Sequence, residues 1–235
     1  MQTFIISKHS MELLNNYYSS KTKGDDLEKV AKEILKTMKY EYSEIEYEMA
    51  NFQYRHGDLI VMNRDYSLKS IDVKASHSFR NIDKLALDIE YFKKGTKEPY
   101  IPTNAIDNKG YTYHLLSDTV MAINPISKKL YVINNFQKFR KQLLELIEDY
   151  NKDFEILSIL GIEMSINKGD YNKDSLVANV DFKSMKILKA DIKEYKLEEE
   201  WDLRTLDYNN KFEYDILNSN KKNTLSDQTR VFFEN

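Results

Sequence analysis

Apolar residues recur along this chain with two periods, and they divide it into helices and strands. After Gly24, the residues Leu27, Val30, Ala31, Ile34, Leu35 and Met38 fall at spacings of three and four, the stripe of an amphipathic helix. Asp25 and Asp26 open that stripe, where acids suit the helix dipole. Ile45, Tyr47 and Met49 alternate and predict a strand. The stretch RHGDLIVMNRDYSLKSIDVKAS, Arg55 to Ser76, reads as a strand over 58–63, a turn at 64–66 and a strand over 67–75. Leu85, Leu87, Ile89 and Tyr91 alternate in a third long strand, with Asp88 and Glu90 on its other face. A loop bearing Lys, Pro, Asn and Gly leads to Gly110. Val120, Ala122 and Ile123 predict another strand, the turn NPISKK follows, and LYVIN from Leu130 predicts the next. Phe136, Phe139, Leu143, Leu144 and Ile147 mark a helix to about Tyr150.

Helix, several strands, then helix predicts an α+β or α/β domain, a central mixed β-sheet covered on its faces by helices. Beyond Tyr150 the pattern weakens. Ile156 to Ile166 and Val177 to Ile187 are apolar runs expected as strands, and the charged stretch Asp191 to Trp201 is expected as a helix. The end, NSNKKNTLSDQTRVFFEN, reads as loop with a short terminal strand. The expected division is a core domain over 1–150 and a C-terminal accessory region over 151–235.

Composition narrows the function classes. With 235 residues, 41% hydrophobic and 31% charged, the chain can bury a real core and is not a disordered polyelectrolyte. No run of about eighteen apolar residues predicts a membrane span. The opening MQTFIISKHS lacks the features of a secretory signal. Cys is absent, which excludes disulfides and thiolate metal sites and fits a cytoplasmic location. The net charge of −3 opposes a globally basic nucleic-acid binder, but a local basic groove can coexist with an acidic remainder.

Chemistry concentrates in the paired strands. Asp58 starts one of them. Asp72 lies inside the next, with Lys74 two residues on, so Asp72 and Lys74 share a face. A carboxylate inside an apolar strand is costly unless it is paired or binds a cation. A tight turn would bring Asp58 to the same place. Two converging acids make a hard oxygen site for Mg²⁺ or Mn²⁺, and an ammonium beside them can polarise water and neutralise developing negative charge. This is equipment for metal-assisted phosphodiester hydrolysis.

Gly57-Asp58 followed by Asp72-Val73-Lys74 resembles the motif of the PD-(D/E)XK nuclease superfamily, nearest its Holliday-junction-resolvase-like members. The upstream helix KGDDLEKVAKEIL contributes to the likeness through Glu28, which resembles an acid that branch carries on its first helix. The resemblance covers roughly residues 20–150 and implies a restriction-endonuclease-like core. It implies that Asp58 and Asp72 ligate the metal, that Lys74 orients the attacking water and that Glu28 assists. It further implies a DNA substrate, an endonuclease of phage, restriction or recombination type, and a homodimer. The alternative expectation is a non-catalytic nucleic-acid- or protein-binding module that keeps the nuclease scaffold. Three positions depart from the pattern. Gly57 stands where Pro is usual, Asp72 where Glu is commoner, and Ser76 one position away from a serine that some resolvases carry.

An acid-x-Lys triplet alone has little meaning in this chain. Asp107-Asn108-Lys109, Asp181-Phe182-Lys183, Asp191-Ile192-Lys193 and Glu194-Tyr195-Lys196 all match it. Gly169-Asp170 precedes one of them, but YNKDS follows it, too polar for a core strand. Glu90 is a further candidate acid, although charges on an exposed face explain Asp88 and Glu90 better. His9, His56, His77 and His114 show no HxH or HExxH spacing, which argues against a zinc hydrolase; His56 and His77 lie close enough to the motif to touch phosphate. Lys93, Lys94 and Lys97, and Lys138, Arg140 and Lys141, are candidate phosphate contacts. Tyr111 and Tyr113 are candidate base-stacking residues.

Overall fold

The computed structural model describes residues 2–44, 56–62, 66–79, 82–102, 105–150, 153–168 and 172–200. The opening residues form β1 (Gln2–Ile6) and α1 (Lys8–Asn15), neither of them expected from the pattern. The stripe after Gly24 folds as α2 (Lys23–Thr37), with Leu27, Val30, Ala31, Ile34 and Leu35 all buried. A short strand, β2 (Glu41–Glu44), follows. The strand expected around Ile45, Tyr47 and Met49 lies outside the described residues. The motif strands are β3 (Leu59–Met62) and β4 (Leu68–Phe79), and the third long strand is β5 (Ile82–Lys93). After the loop come a short helix, α3 (Tyr111–His114), the hairpin β6 (Thr119–Asn124) and β7 (Lys129–Asn134), and α4 (Phe136–Asp149). The predicted α4 stripe is buried at Phe136, Phe139, Leu143 and Ile147.

Beyond Tyr150 the structure corrects three expectations. The apolar run from Ile156 is not one strand: it is a helix, α5 (Phe154–Ile159), and then β8 (Ile162–Lys168). Asp153 starts the helix by accepting from the amides of Glu155 and Ile156, and Gly161 at φ +78° breaks it. The run from Val177 divides likewise into β9 (Lys173–Asp181) and α6 (Phe182–Ile187), with Asp181 capping the helix. The stretch expected as a charged helix is instead a strand, β10 (Asp191–Glu199). Its charges lie at exposed or half-buried positions while Tyr195 and Leu197 are buried.

These strands form one mixed sheet of 10 strands among the described residues, in the order β1-β10-β7-β6-β4-β5-β9-β8, with β2 and β3 branching from β4. β10 is an interior strand, parallel to β1 on one side and antiparallel to β7 on the other. The described strands on both sides of Tyr150 belong to one compact unit, Met1–Glu199. The sheet carries a core on each face. On one, α2 packs Leu27, Val30, Ala31 and Ile34 over Ile71, Val73, Met121 and Ile123. On the other, α4 packs Phe136, Phe139, Leu143 and Ile147 over Val120, Ala122, Leu85 and Leu87. Helices on both faces of a mixed sheet make the architecture α+β. Among the described residues no helix is long and apolar enough to cross a membrane.

α1 is tied to α2 by Glu33, whose carboxylate accepts from the Ser7 amide and from the hydroxyls of Ser7 and Ser10. Burial pushes the Glu33 carboxyl up, but the Ser10 and Ser7 donors outweigh it and hold it below its usual range. A group depressed in the folded state stabilises fully above its unfolded pKa and loses that effect as pH falls through the folded value. Glu33→Gln is expected to lower unfolding free energy by about 1 kcal/mol at pH 7. The gap from the parent should narrow as urea titrations are moved below about pH 4. A gap that does not vary with pH would show that the carboxylate charge has no part in the cap.

Candidate functional site

β4 changes partners along its length, and the candidate site lies where it does so. Its first residues pair antiparallel with β3, ending at Leu59 opposite Ile71. Its last residues pair antiparallel with β5, starting at Ser76 opposite Leu85. Over Ile71–Ala75 it pairs in parallel with β6. Asp72 to Ala75 thus lack a strand from β3 or β5, and Asp58 serves that gap. Its amide donates to the Ile71 carbonyl at 2.9 Å, and its carboxylate Oδ2 accepts the Val73 amide at 2.7 Å. The side chain continues a ladder that the β3 backbone has left.

Gly57 shows why this approach needs glycine. Its φ is +85°, and a Cβ there would lie 2.8 Å from Asp72 Cα and 2.7 Å from Ser117 Oγ. Proline, locked near φ −65°, cannot take this conformation. Glycine at 57 is therefore a steric requirement of packing Asp58's neighbour directly on Asp72.

Asp72 is fully buried. Its Oδ1 accepts from Lys74 Nζ at 3.0 Å and from the Tyr111 hydroxyl at 2.8 Å. Its Oδ2 is buried and has no hydrogen-bond partner among the described residues. Burial pushes the Asp72 carboxyl up; Lys74 pulls it down and the neighbouring Asp58 charge raises it again. Burial works against the Lys74 charge too, yet Asp72 and Asp58 outweigh it and hold the ammonium above its usual range. Lys74 keeps 32% of its side chain exposed, with its charge paired to Asp72. Ser76 continues the same face of β4, with a buried hydroxyl lacking a partner among the described residues.

The structure thus brings Asp58, Asp72 and Lys74 together. Glu28 is carried by another element. It sits on α2, which covers the face of β4 that carries Ile71 and Val73, and its carboxylate is 3.9 Å from Lys32 one turn on. Asp88 on β5 is a further acid whose charge favours the Lys74 ammonium. Burial raises its carboxyl, against a hydrogen bond from Tyr91 and the charges of Lys173 and Lys74. Among the described residues, no three His, Asp or Glu side chains gather as a metal site.

The other triplets have local roles. Asp181 caps α6, Asp107 accepts the Lys109 amide in a turn, and Asp191 and Glu194 lie on β10, the latter 2.8 Å from Lys129. Asp170 lies outside the described residues. Arg140 donates to the carbonyls of Thr112 and Tyr113, which makes it an anchor for α3. Lys93 pairs with Glu98 at 2.8 Å. The Tyr113 hydroxyl donates to Glu148. His114 lies 3.3 Å from Asp107, and the His56 carbonyl accepts from Ser117.

No family model, curated protein or solved structure matches this chain. The choice of site therefore rests on the residues. A cleft of about 700 Å³ opens elsewhere, lined among others by Asp83, Lys129, Tyr131, Phe182 and Glu194. One of its acids, Asp83, accepts from Ser78, Asn124, Ser127 and Tyr131, a saturated carboxylate with a structural role. Asp72 keeps one oxygen without a donor, a feature that calls for an explanation.

Gly57→Ala is expected to destabilise the protein by about 2 kcal/mol or more, since it adds both left-handed strain and a backbone clash. Gly24→Ala, where a Cβ meets nothing within 4 Å, should be nearly neutral. Urea unfolding of the two variants checks this; equal effects would contradict the packing of Gly57 on Asp72.

Proposed function

We propose that the chain is a divalent-cation-dependent nuclease hydrolysing phosphodiester bonds of DNA, with Asp58, Asp72 and Lys74 as its working groups. The observation that carries this reading is the state of Asp72. It is a fully buried carboxylate with one oxygen saturated by Lys74 and Tyr111 and the other without a donor among the described residues. A native protein does not bury such an oxygen without a reason, and a cation is a reason that suits the donor set. Mg²⁺ is commonly held by one or two carboxylates, with waters and substrate phosphate completing its shell. Asp58 and Asp72 meet that need without a third acid.

In this reading Asp58 and Asp72 hold the cation. When bound, Mg²⁺ or Mn²⁺ supplies Lewis acidity toward water and a phosphate oxygen. Lys74, kept charged by the acids around it, orients the attacking water and faces the negative charge that develops on the phosphate. Asp58 also holds the Val73 amide, so the backbone carrying Asp72 and Lys74 is fixed before substrate arrives. Glu28, 3.9 Å from Lys32 on α2, is given no part in holding the cation.

The test is incubation of the chain with plasmid, linear, single-stranded and branched DNA in Mg²⁺, Mn²⁺ or EDTA. Cleavage is expected with either cation and none in EDTA. Asp72→Asn and Lys74→Met should lose about 100-fold or more in rate with folded circular dichroism spectra, and Glu28→Gln should stay within severalfold of the parent. Full activity in Asp72→Asn would refute the assignment. Absence of cleavage of every substrate by the parent would favour a binding module on the same scaffold.

A further inference from the structure

We propose that Tyr111 is a positioning residue of this site, which fixes Asp72 and Lys74 so that Asp72 presents one chosen oxygen to a cation. The inference rests on the nuclease reading above. Tyr111 touches both groups at once. Its hydroxyl donates to Asp72 Oδ1 at 2.8 Å, and its ring lies 4.5 Å from Lys74 Nζ, within cation–π range. Lys74 donates to that same Oδ1 at 3.0 Å. The two donors occupy one oxygen and leave Oδ2 as the buried atom without a partner among the described residues. A carboxylate has two nearly equivalent oxygens. Here the surroundings make them different.

Tyr111 is itself held from a third strand. Its amide donates to the Tyr91 hydroxyl at 3.2 Å, and that hydroxyl donates to Asp88 Oδ2 at 3.2 Å. The preceding residue makes this possible. The Gly110 amide donates to the Ile89 carbonyl at 2.7 Å, and a Cβ on Gly110 would lie 2.2 Å from the Asp88 carbonyl oxygen. α3 is thus pressed on β5 at the point where the register of β5 with β9 shifts between Asp88 and Glu90. The chain Asp88–Tyr91–Tyr111–Asp72 links β5 to β4, across the gap that Asp58 serves from β3.

Groups that orient a metal-binding carboxylate typically matter by about 10- to 100-fold in affinity or activity. Tyr111→Phe keeps the ring beside Lys74 and removes only the donor. Mn²⁺ binding, read by electron paramagnetic resonance of the free ion without DNA, is expected to weaken about tenfold in Tyr111→Phe. Cleavage should fall at fixed Mn²⁺ and recover partly when Mn²⁺ is raised tenfold. Tyr113→Phe, whose hydroxyl points to Glu148 instead, should bind Mn²⁺ as the parent does. A purely structural tyrosine would lower the urea midpoint but leave Mn²⁺ affinity in the folded protein unchanged, and that result overturns the inference while the nuclease reading stands. A parent that neither binds Mn²⁺ nor cleaves DNA overturns both. If Tyr111→Phe does not fold, Tyr91→Phe reads the same link from its far end. A loss of about threefold in Mn²⁺ affinity supports the inference, and parent-like affinity overturns it.

Discussion

A carboxylate with no exposure to water, held in the middle of a sheet strand, organises this molecule. Burying the Asp72 charge is costly, and only close partners make it tolerable. Lys74 and Tyr111 meet at one of its oxygens, and the Lys74 charge in turn is held by Asp72 and Asp58. The surrounding backbone answers to the same constraint. Gly57 must approach within contact of Asp72, which forces a positive φ and excludes any side chain. Asp58 reaches across to the Val73 amide, which lies between the end of the β3 ladder and the start of the β5 ladder.

That gap is a product of the sheet as a whole. β4 is shared between β3, β5 and β6, and no single neighbour runs its full length. A strand with an opening in its ladder would be weak if it stood at an edge. Here it is clamped by two cores, one under α2 and one under α4. The apolar side chains of β4 face α2, and its polar row of Asp72, Lys74 and Ser76 faces the other way. The stability of the sheet thus comes from one face of the strand while the unusual chemistry occupies the other. The interior placement of β10 between β1 and β7 extends the sheet away from the site and ties the first and last described strands together.

The elements before Tyr150 were largely legible because their periodicity was strong and their neighbours lie close in sequence. α2, β4, β5, β6, β7 and α4 all sit within a few residues of the expected bounds. The errors cluster where a local signal has two physical outcomes. The run after Ile156 is equally apolar as a strand or a short helix, and the outcome follows from the Asp153 cap and the left-handed Gly161. Asp191–Glu199 looks helical by its charges, and becomes a strand because β1 and β7 offer it backbone partners on both sides. Tertiary pairing overrides weak propensity in such cases.

The site divides along the same line. Alternation within one strand was enough to put Asp72 and Lys74 on a common face, and a short hairpin was enough to bring Asp58 near, because both follow from the two-residue period of a strand. Nothing in the chain distinguishes Asp181-Phe182-Lys183 or Asp107-Asn108-Lys109 from Asp72-Val73-Lys74 except order and polarity. Their parts as a helix cap and a turn needed coordinates. Which face of the sheet α2 covers depends on packing that a helical stripe leaves open. Tyr111 is 39 residues from Asp72, and Asp88 acts on Lys74 from another strand. Contacts at that separation arise only when the sheet closes, since local periodicity carries no record of which distant residue will meet a buried charge.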